Sequence, residues 1–300
     1  MVLQKKVKHF QEKLVSQNKI GILVDDVCSL PEEIINKNRI EIVKMRMFFE
    51  ELENHPKENV YQVMRETKAH PKTSAPSPGQ FIKAYKNALR INNRIIVITI
   101  SSKLSGAFNI ANQTRKLMPD YSKIEVVDSY SAVAAEGLLV VEAIEFVKKE
   151  KDIKKIKKEL EATKKKIKMF AFLKTTYWVE KIGRISKKRA LGFKVLKYIG
   201  VMPIIGIKEG EVGLVGFNFW TTKNYKAVFH QLKKEAKKAR KQSKKLIIGI
   251  NYTDNKETAL FLKEKAERKL GAKVAFVSMV PLIIGANSGP GTLIAASYIK

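Results

Sequence analysis

Three apolar runs constrain this chain most: KIGILVDD (19–26), RIIVITI (94–100) and KIEVVDS (123–129). Each reads as a buried strand that stops at polar or small residues. Helical patterns follow at about 59–69, 78–90, 105–117 and 131–149. Strands alternating with helices in this way predict a parallel sheet with helices on both faces, an α/β fold. In the second half MFAFL (169–173), YIGVMPIIGI (198–207), EVGLVGFNF (211–219), KLIIGIN (245–251) and KVAFVSM (273–279) read as strands, with helices at 223–243 and 255–270. The tripeptide KEG joins two of these strands as a hairpin, so a mixed sheet with helices is expected here. The change of pattern places a boundary near 168, giving domains at 19–168 and 169–300. Residues 274–299 carry no charge and are long enough to span a bilayer. Pro281, Gly285, Gly289, Pro290 and Gly291 interrupt them, so they read as a strand, a tight loop and a closing helix.

Residues 1–18 lack the continuous apolar core of a signal peptide. Leu3, Val7, Phe10 and Leu14 share one helical face, which makes this stretch an amphipathic extension. Cys28 is the only cysteine, which excludes an intramolecular disulfide and fits a reducing, cytoplasmic setting. The formal charge of +29 would attract polyanions whatever the fold. Its lysines are spread along the chain, and the dense runs at 148–168 and 231–245 read as surface helices. In the first, Ile153, Ile156, Leu160 and Ile167 form an apolar stripe opposite the lysines. No zinc-finger spacing or aromatic RNA-binding motif accompanies the charge, so nucleic acid is not the expected partner. Contact with an anionic membrane surface stays open.

The stretch HPKTSAPSPGQF (70–81) is stiff and rich in hydroxyls. Ala75 and Ser77 each precede proline and are pushed into extended geometry. Ser77, Pro78 and Gln80 form an N-cap, a first helical residue and a capping box. Lys72-Thr73-Ser74 is then a taut strap ahead of the helix. ISSKLSGAFNIA (100–111) follows a strand and opens a helix, offering Ser101, Ser102, Ser105 and unpaired N–H groups. There Gly106 allows close backbone approach. VVDSYSA (126–132) repeats the arrangement one strand later, and GANSGPGT (285–292) can bring bare backbone against a ligand. In parallel sheets such loops gather beyond the carboxyl ends of the strands, where ligands bind. Hydroxyls and N–H groups without acids suit a carboxylate or a phosphate.

The nucleotide-binding glycine loops and the G-x-S-x-G elbow are missing. His9, His55, His70 and His230 show no metal spacing and no pairing with a nucleophile. No catalytic residue, metal or cofactor is expected.

KTSAPSPGQF, ISSKLSGAF, VVDSYSA, EKIGRIS and SGPGT, in this order, closely resemble the motifs of the DegV family of fatty-acid-binding proteins. The resemblance runs from about Lys19 to the C-terminus. It implies two α/β domains and a bound long-chain fatty acid such as palmitate, its tail in an apolar tunnel. It also implies that Thr73 and Ser105 hold the carboxylate, supplemented by Ser102, with Ser101, Gly106, Arg184 and Asn287 in support. A separate fatty acid kinase is the implied partner, and the chain itself is a carrier. The pattern departs from the family at Asp25-Asp26-Val27-Cys28-Ser29, where D-S-T is common. It also departs at Asn287 in place of a histidine, and at Thr222 near a usual arginine. The rival readings are a serine hydrolase or acyltransferase built on Ser105, and a polyanion-binding protein.

Overall fold

The computed structural model describes residues 19–54, 59–150, 152–183, 185–219 and 224–300. The N-terminal extension with its Leu3, Val7, Phe10 and Leu14 face, Arg184 and Thr222 lie outside the described residues. The first strands are β1 (Ile20–Asp25), β2 (Glu41–Val43), β3 (Arg46–Phe48), β4 (Lys72–Ser74), β5 (Arg94–Thr99) and β6 (Ile124–Asp128). The remainder are β7 (Lys168–Phe172), β8 (Val201–Lys208), β9 (Glu211–Phe219), β10 (Leu246–Tyr252), β11 (Lys273–Met279) and β12 (Leu293–Ile299).

One sheet has the order β2-β1-β5-β6 and is parallel throughout. The second has the order β11-β10-β12-β7-β8-β9 and is mixed: β10 and β11 run parallel, the other neighbours antiparallel. The fold is α/β, as the strand–helix alternation implies. β8 and β9 form the hairpin expected at KEG, with Gly210 at φ +86° in its turn. Among the described residues no helix is long and apolar enough to cross a membrane.

The end of the chain differs from the sequence reading. Its closing element is a strand, β12, and the helix Leu282–Ser288 occupies the middle of the segment. β12 lies between β10 and β7 and is buried along both faces. A run buried on both sides has no alternation to mark it as a strand. Gly289 at φ +82° and Gly291 at φ +78° make the turn between helix and strand.

The helix Val133–Lys149 joins the two sheets. Residues 133–140 are all buried, which its nearly all-apolar sequence requires. One continuous core contains Val24 of β1 and Ile98 of β5, Leu138 and Leu139 of this helix, and Ala171 and Ala296 of β7 and β12. Gly137 is the point of closest approach. A Cβ there would stand 2.6 Å from the Cys28 carbonyl and 2.8 Å from Phe276 Cζ. A hydrogen bond from Asn251 Nδ2 of β10 to the Ser29 carbonyl, 3.1 Å, ties the second sheet to the loop after β1.

Gly137→Ala should therefore destabilise the protein, although alanine is the better helix former by about 1 kcal/mol. Overpacking against a backbone carbonyl costs about 1–3 kcal/mol. Thermal unfolding should show a lower midpoint; a raised one would mean that the two sheets part easily at this helix.

Candidate functional site

A cavity of about 490 Å³ lies between the two sheets. Most of its wall is aliphatic. Met169 and Ala171 of β7, Ile205 and Ile207 of β8, and Ile294 of β12 form one side. Ile100, Leu104, Ala132 and Val133 come from the ends of β5 and β6, and Ile283 and Ile284 from the helix Leu282–Ser288. Three segments add polar groups: His70, Lys72, Thr73 and Ser74 from the strap, Ser105 from the turn after β5, and Asn287 and Ser288 from the end of the helix Leu282–Ser288. Among the described residues no aspartate or glutamate lines the cavity. Such a wall suits an apolar ligand with an acidic end.

The strap is held more firmly than its prolines alone require. β4 pairs antiparallel with β3, setting Thr73 opposite Met47. The capping box forms: Ser77 Oγ accepts from the Gln80 amide at 3.3 Å, and Gln80 Oε1 from the Ser77 amide at 2.9 Å. Gln80 Nε2 also donates to the Lys44 carbonyl at 3.1 Å, and Arg46 Nε donates to Gln80 Oε1 at 3.2 Å. Thr73 thus sits on a two-stranded ribbon clamped to the start of the helix Pro78–Ile91.

Ser105 is half-buried, its hydroxyl accepting from the Ala107 amide at 3.3 Å at the start of the helix Ala107–Lys116. Gly106 has φ −69°, which any residue adopts, and a Cβ there would make only an ordinary 3.7 Å contact with Ile110. Its use is the space it leaves in the cavity wall.

Four of the residues singled out in the sequence therefore meet here: Thr73, Ser105, Gly106 and Asn287. Ser101 and Ser102 do not line the cavity. Ser101 is buried and donates its hydroxyl to the Gly210 carbonyl at 2.8 Å, tying the β5 loop to the β8–β9 hairpin. The Ser102 amide donates to the Asp128 carboxylate at 3.2 Å. His70 and Lys72 are on the wall without a motif of their own, because they neighbour Thr73 on the strap. His70 Nε2 and Asn287 Oδ1 are buried and have no hydrogen-bond partner among the described residues. Burial, and then the charge of Lys181, push the His70 pKa down, which favours a neutral imidazole.

Buried carboxyls shape the loops from behind. Asp25, at the end of β1, accepts from the amides of Val27 at 3.0 Å and Ile100 at 2.8 Å, so it pins a cavity residue directly. Glu136, fully buried on the helix Val133–Lys149, lies beside Asp25 and feels its charge. Burial raises Asp25 from 3.8 to about 7, with Asp26 adding to the rise. Burial, then Asp25, pushes Glu136 well above the usual carboxylate range. The folded chain thus keeps protons that the unfolded chain releases. The contribution of these two groups to stability is full below the unfolded value of 3.8 and is lost as pH rises through about 7, with Glu136 extending the loss upward. Glu136→Gln keeps the shape and removes one ionisation. Its thermal midpoint should depend less on pH than the parent's, and should lie above it near pH ~8, by about 2–4 °C per kcal/mol recovered. Parallel profiles for parent and variant would show that Glu136 does not titrate in this window.

Comparison with known proteins settles the family. A family model described as "Uncharacterised protein, DegV family COG1307" matches residues 19–300. This chain belongs to the DegV family. A DegV domain-containing protein of Clostridium acetobutylicum is 27% identical over 279 residues, covering 91% of this chain and 96% of the relative. A DegV family protein from Thermus thermophilus, described as binding fatty acid, superposes with a TM-score of 0.78 at 23% identity, covering 94% of this chain and all of that one. A stearic-acid-binding protein from Eubacterium ventriosum gives 0.78 at 22% identity, over 93% of this chain and 98% of that one. A DegV family protein from Eubacterium eligens, loaded with heptadecanoic acid, gives 0.75 at 18% identity, over 94% of this chain and 100% of that one. These solved structures share the fold.

Proposed function

We propose that this DegV-family chain is a carrier that binds one long-chain fatty acid in the cavity between its sheets. Its tail lies along the aliphatic wall, and its carboxylate accepts hydrogen bonds from Thr73 and Ser105. The observation that carries this reading is the single lining that holds both hydroxyls, a mostly aliphatic wall and no acidic side chain among the described residues. The Thermus, Eubacterium ventriosum and Eubacterium eligens relatives, described with fatty, stearic and heptadecanoic acid, support the ligand class. A volume of about 490 Å³ falls within the ~300–1,000 Å³ of small-molecule sites. Burying ~14 methylenes of a palmitate-sized tail at ~0.8 kcal/mol each gives on the order of 11 kcal/mol before the losses of association. Affinity then comes mainly from the tail, and orientation from the hydroxyls. Arg184 and Thr222 stay outside the described residues and take no part in the argument.

A carrier fits better than a serine hydrolase, because the Ser105 hydroxyl accepts from the Ala107 amide and has no hydrogen-bonded histidine among the described residues. The same reading extends to a cytoplasmic protein with domains at 19–168 and 169–300. It extends also to a fatty acid kinase that receives the exposed carboxyl end, an extension supported by the family motifs.

The test is a double-mutant cycle of Thr73→Ala and Ser105→Ala, titrated with palmitate. Each loss should weaken binding by about 1.5–3 kcal/mol, as for hydrogen bonds to a charged group. The pair should be less than additive, since both donors serve one carboxylate. A fatty alcohol of equal length should bind the parent less tightly and ignore Thr73→Ala. Unchanged affinity for the acid in both single variants would move the carboxylate away from the strap.

A further inference from the structure

A second concavity, of about 320 Å³, lies at the far ends of the strands that wall the acyl cavity. On β7, Lys168 lines the second site while Met169 and Ala171 line the first. On β12, Tyr298 and Ile299 line the second while Ile294 lines the first. Four lysines converge on this second site: Lys166 and Lys168 at the start of β7, and Lys238 and Lys244 from the end of the helix Asn224–Lys241 and the turn after it. Among the described residues one acid, Glu235, faces them.

Glu235 is consumed by two of the four. Its Oε2 accepts from Lys168 at 2.9 Å, and its Oε1 from Lys238 at 2.8 Å. Burial would raise Glu235, but the ammonium groups of Lys238 and Lys168 outweigh it and hold the carboxyl below its ordinary range. It is therefore ionised, and both its oxygens are already engaged. Lys166 and Lys244 make no side-chain hydrogen bond or ion pair to a described residue. Four ammoniums against one carboxylate leave three positive charges around one recess. Each ammonium carries three donors, so Lys168 and Lys238 keep N–H groups free after meeting Glu235. Ordinary surface lysines on a helix spread into solvent; these come from segments some seventy residues apart and face one small volume.

We propose that this recess is a binding site for a phosphate-bearing polyanion, separate from the acyl cavity. A single carboxylate cannot neutralise three charges, whereas a phosphomonoester or pyrophosphate brings two or more charges on several oxygens. Lysines serve such groups as point charges, without the planar fork that selects carboxylates. The shared chemistry has two sources, a free phosphate compound or a lipid headgroup with an exposed phosphomonoester.

The probe is inorganic pyrophosphate, titrated into the full chain at low salt, about 50 mM, where screening is modest. Lys166→Gln with Lys244→Gln leaves both partners of Glu235 in place, so the fold is undisturbed; the double variant should bind pyrophosphate about tenfold or more weakly. A control, Lys154→Gln with Lys158→Gln on the exposed face of the helix Ile153–Lys164, removes the same charge elsewhere and should bind as the parent does. Palmitate should not compete. Co-sedimentation with phosphatidylcholine vesicles containing phosphatidic acid, reversed by pyrophosphate, assigns the site to a headgroup; titration without sedimentation assigns it to a free phosphate compound. The proposal is overturned if the parent shows no binding, or if the control variant loses as much as the recess variant and the charge acts only in bulk.

Discussion

Everything in this structure depends on the helix Val133–Lys149 being buried between two sheets. A helix so placed cannot afford a polar face, and its small residues bring the β1 loop and Phe276 into contact at Gly137. The same close approach positions Ala132 and Val133 at the head of the helix as part of the acyl wall. Val133 is β-branched yet sits at φ +48°, a conformation that costs on the order of 1–3 kcal/mol. The packing that buries the rest of the helix holds it there.

The loops around the cavity are shaped by carboxylates at strand ends. Asp25 fixes Ile100, and Asp128 accepts from the amides of Ser102 and of Tyr130, the latter at 2.9 Å. With its neighbours occupied in this way, the β5 loop presents Ser105 and Gly106 rather than Ser101 and Ser102. Removing these acids from water is costly, and the cost appears as the raised pKa of Asp25. The result is a cavity that no carboxylate of the described residues lines, set in a carboxylate-built frame.

The parallel sheet was legible because strand and helix periods differ and alternate regularly. β12 was not, since burial on both faces erases the period that separates strand from helix. β2 and β3 are three residues each and exist only through partners far along the chain, so local pattern does not reveal them. The motifs that point to the cavity were legible in the same uneven way. Thr73, Ser105, Gly106 and Asn287 stand in hydroxyl- or glycine-rich stretches of sequence, and the fold gathers them. Ser101 looks equivalent to Ser105 in the sequence, but its partner is a carbonyl 109 residues away. Glu136 carries no motif of its own, and only the fold buries it beside the strand-end acids Asp25 and Asp128.

The central claim is that the cavity carries a fatty acid as cargo. Organic extraction of the purified chain, followed by quantitative mass spectrometry, addresses it most directly. The account predicts free long-chain fatty acid at about one molecule per chain, filling a single site of this volume. Protein saturated with phospholipid or another apolar molecule, and devoid of free acid even after incubation with palmitate, would contradict it.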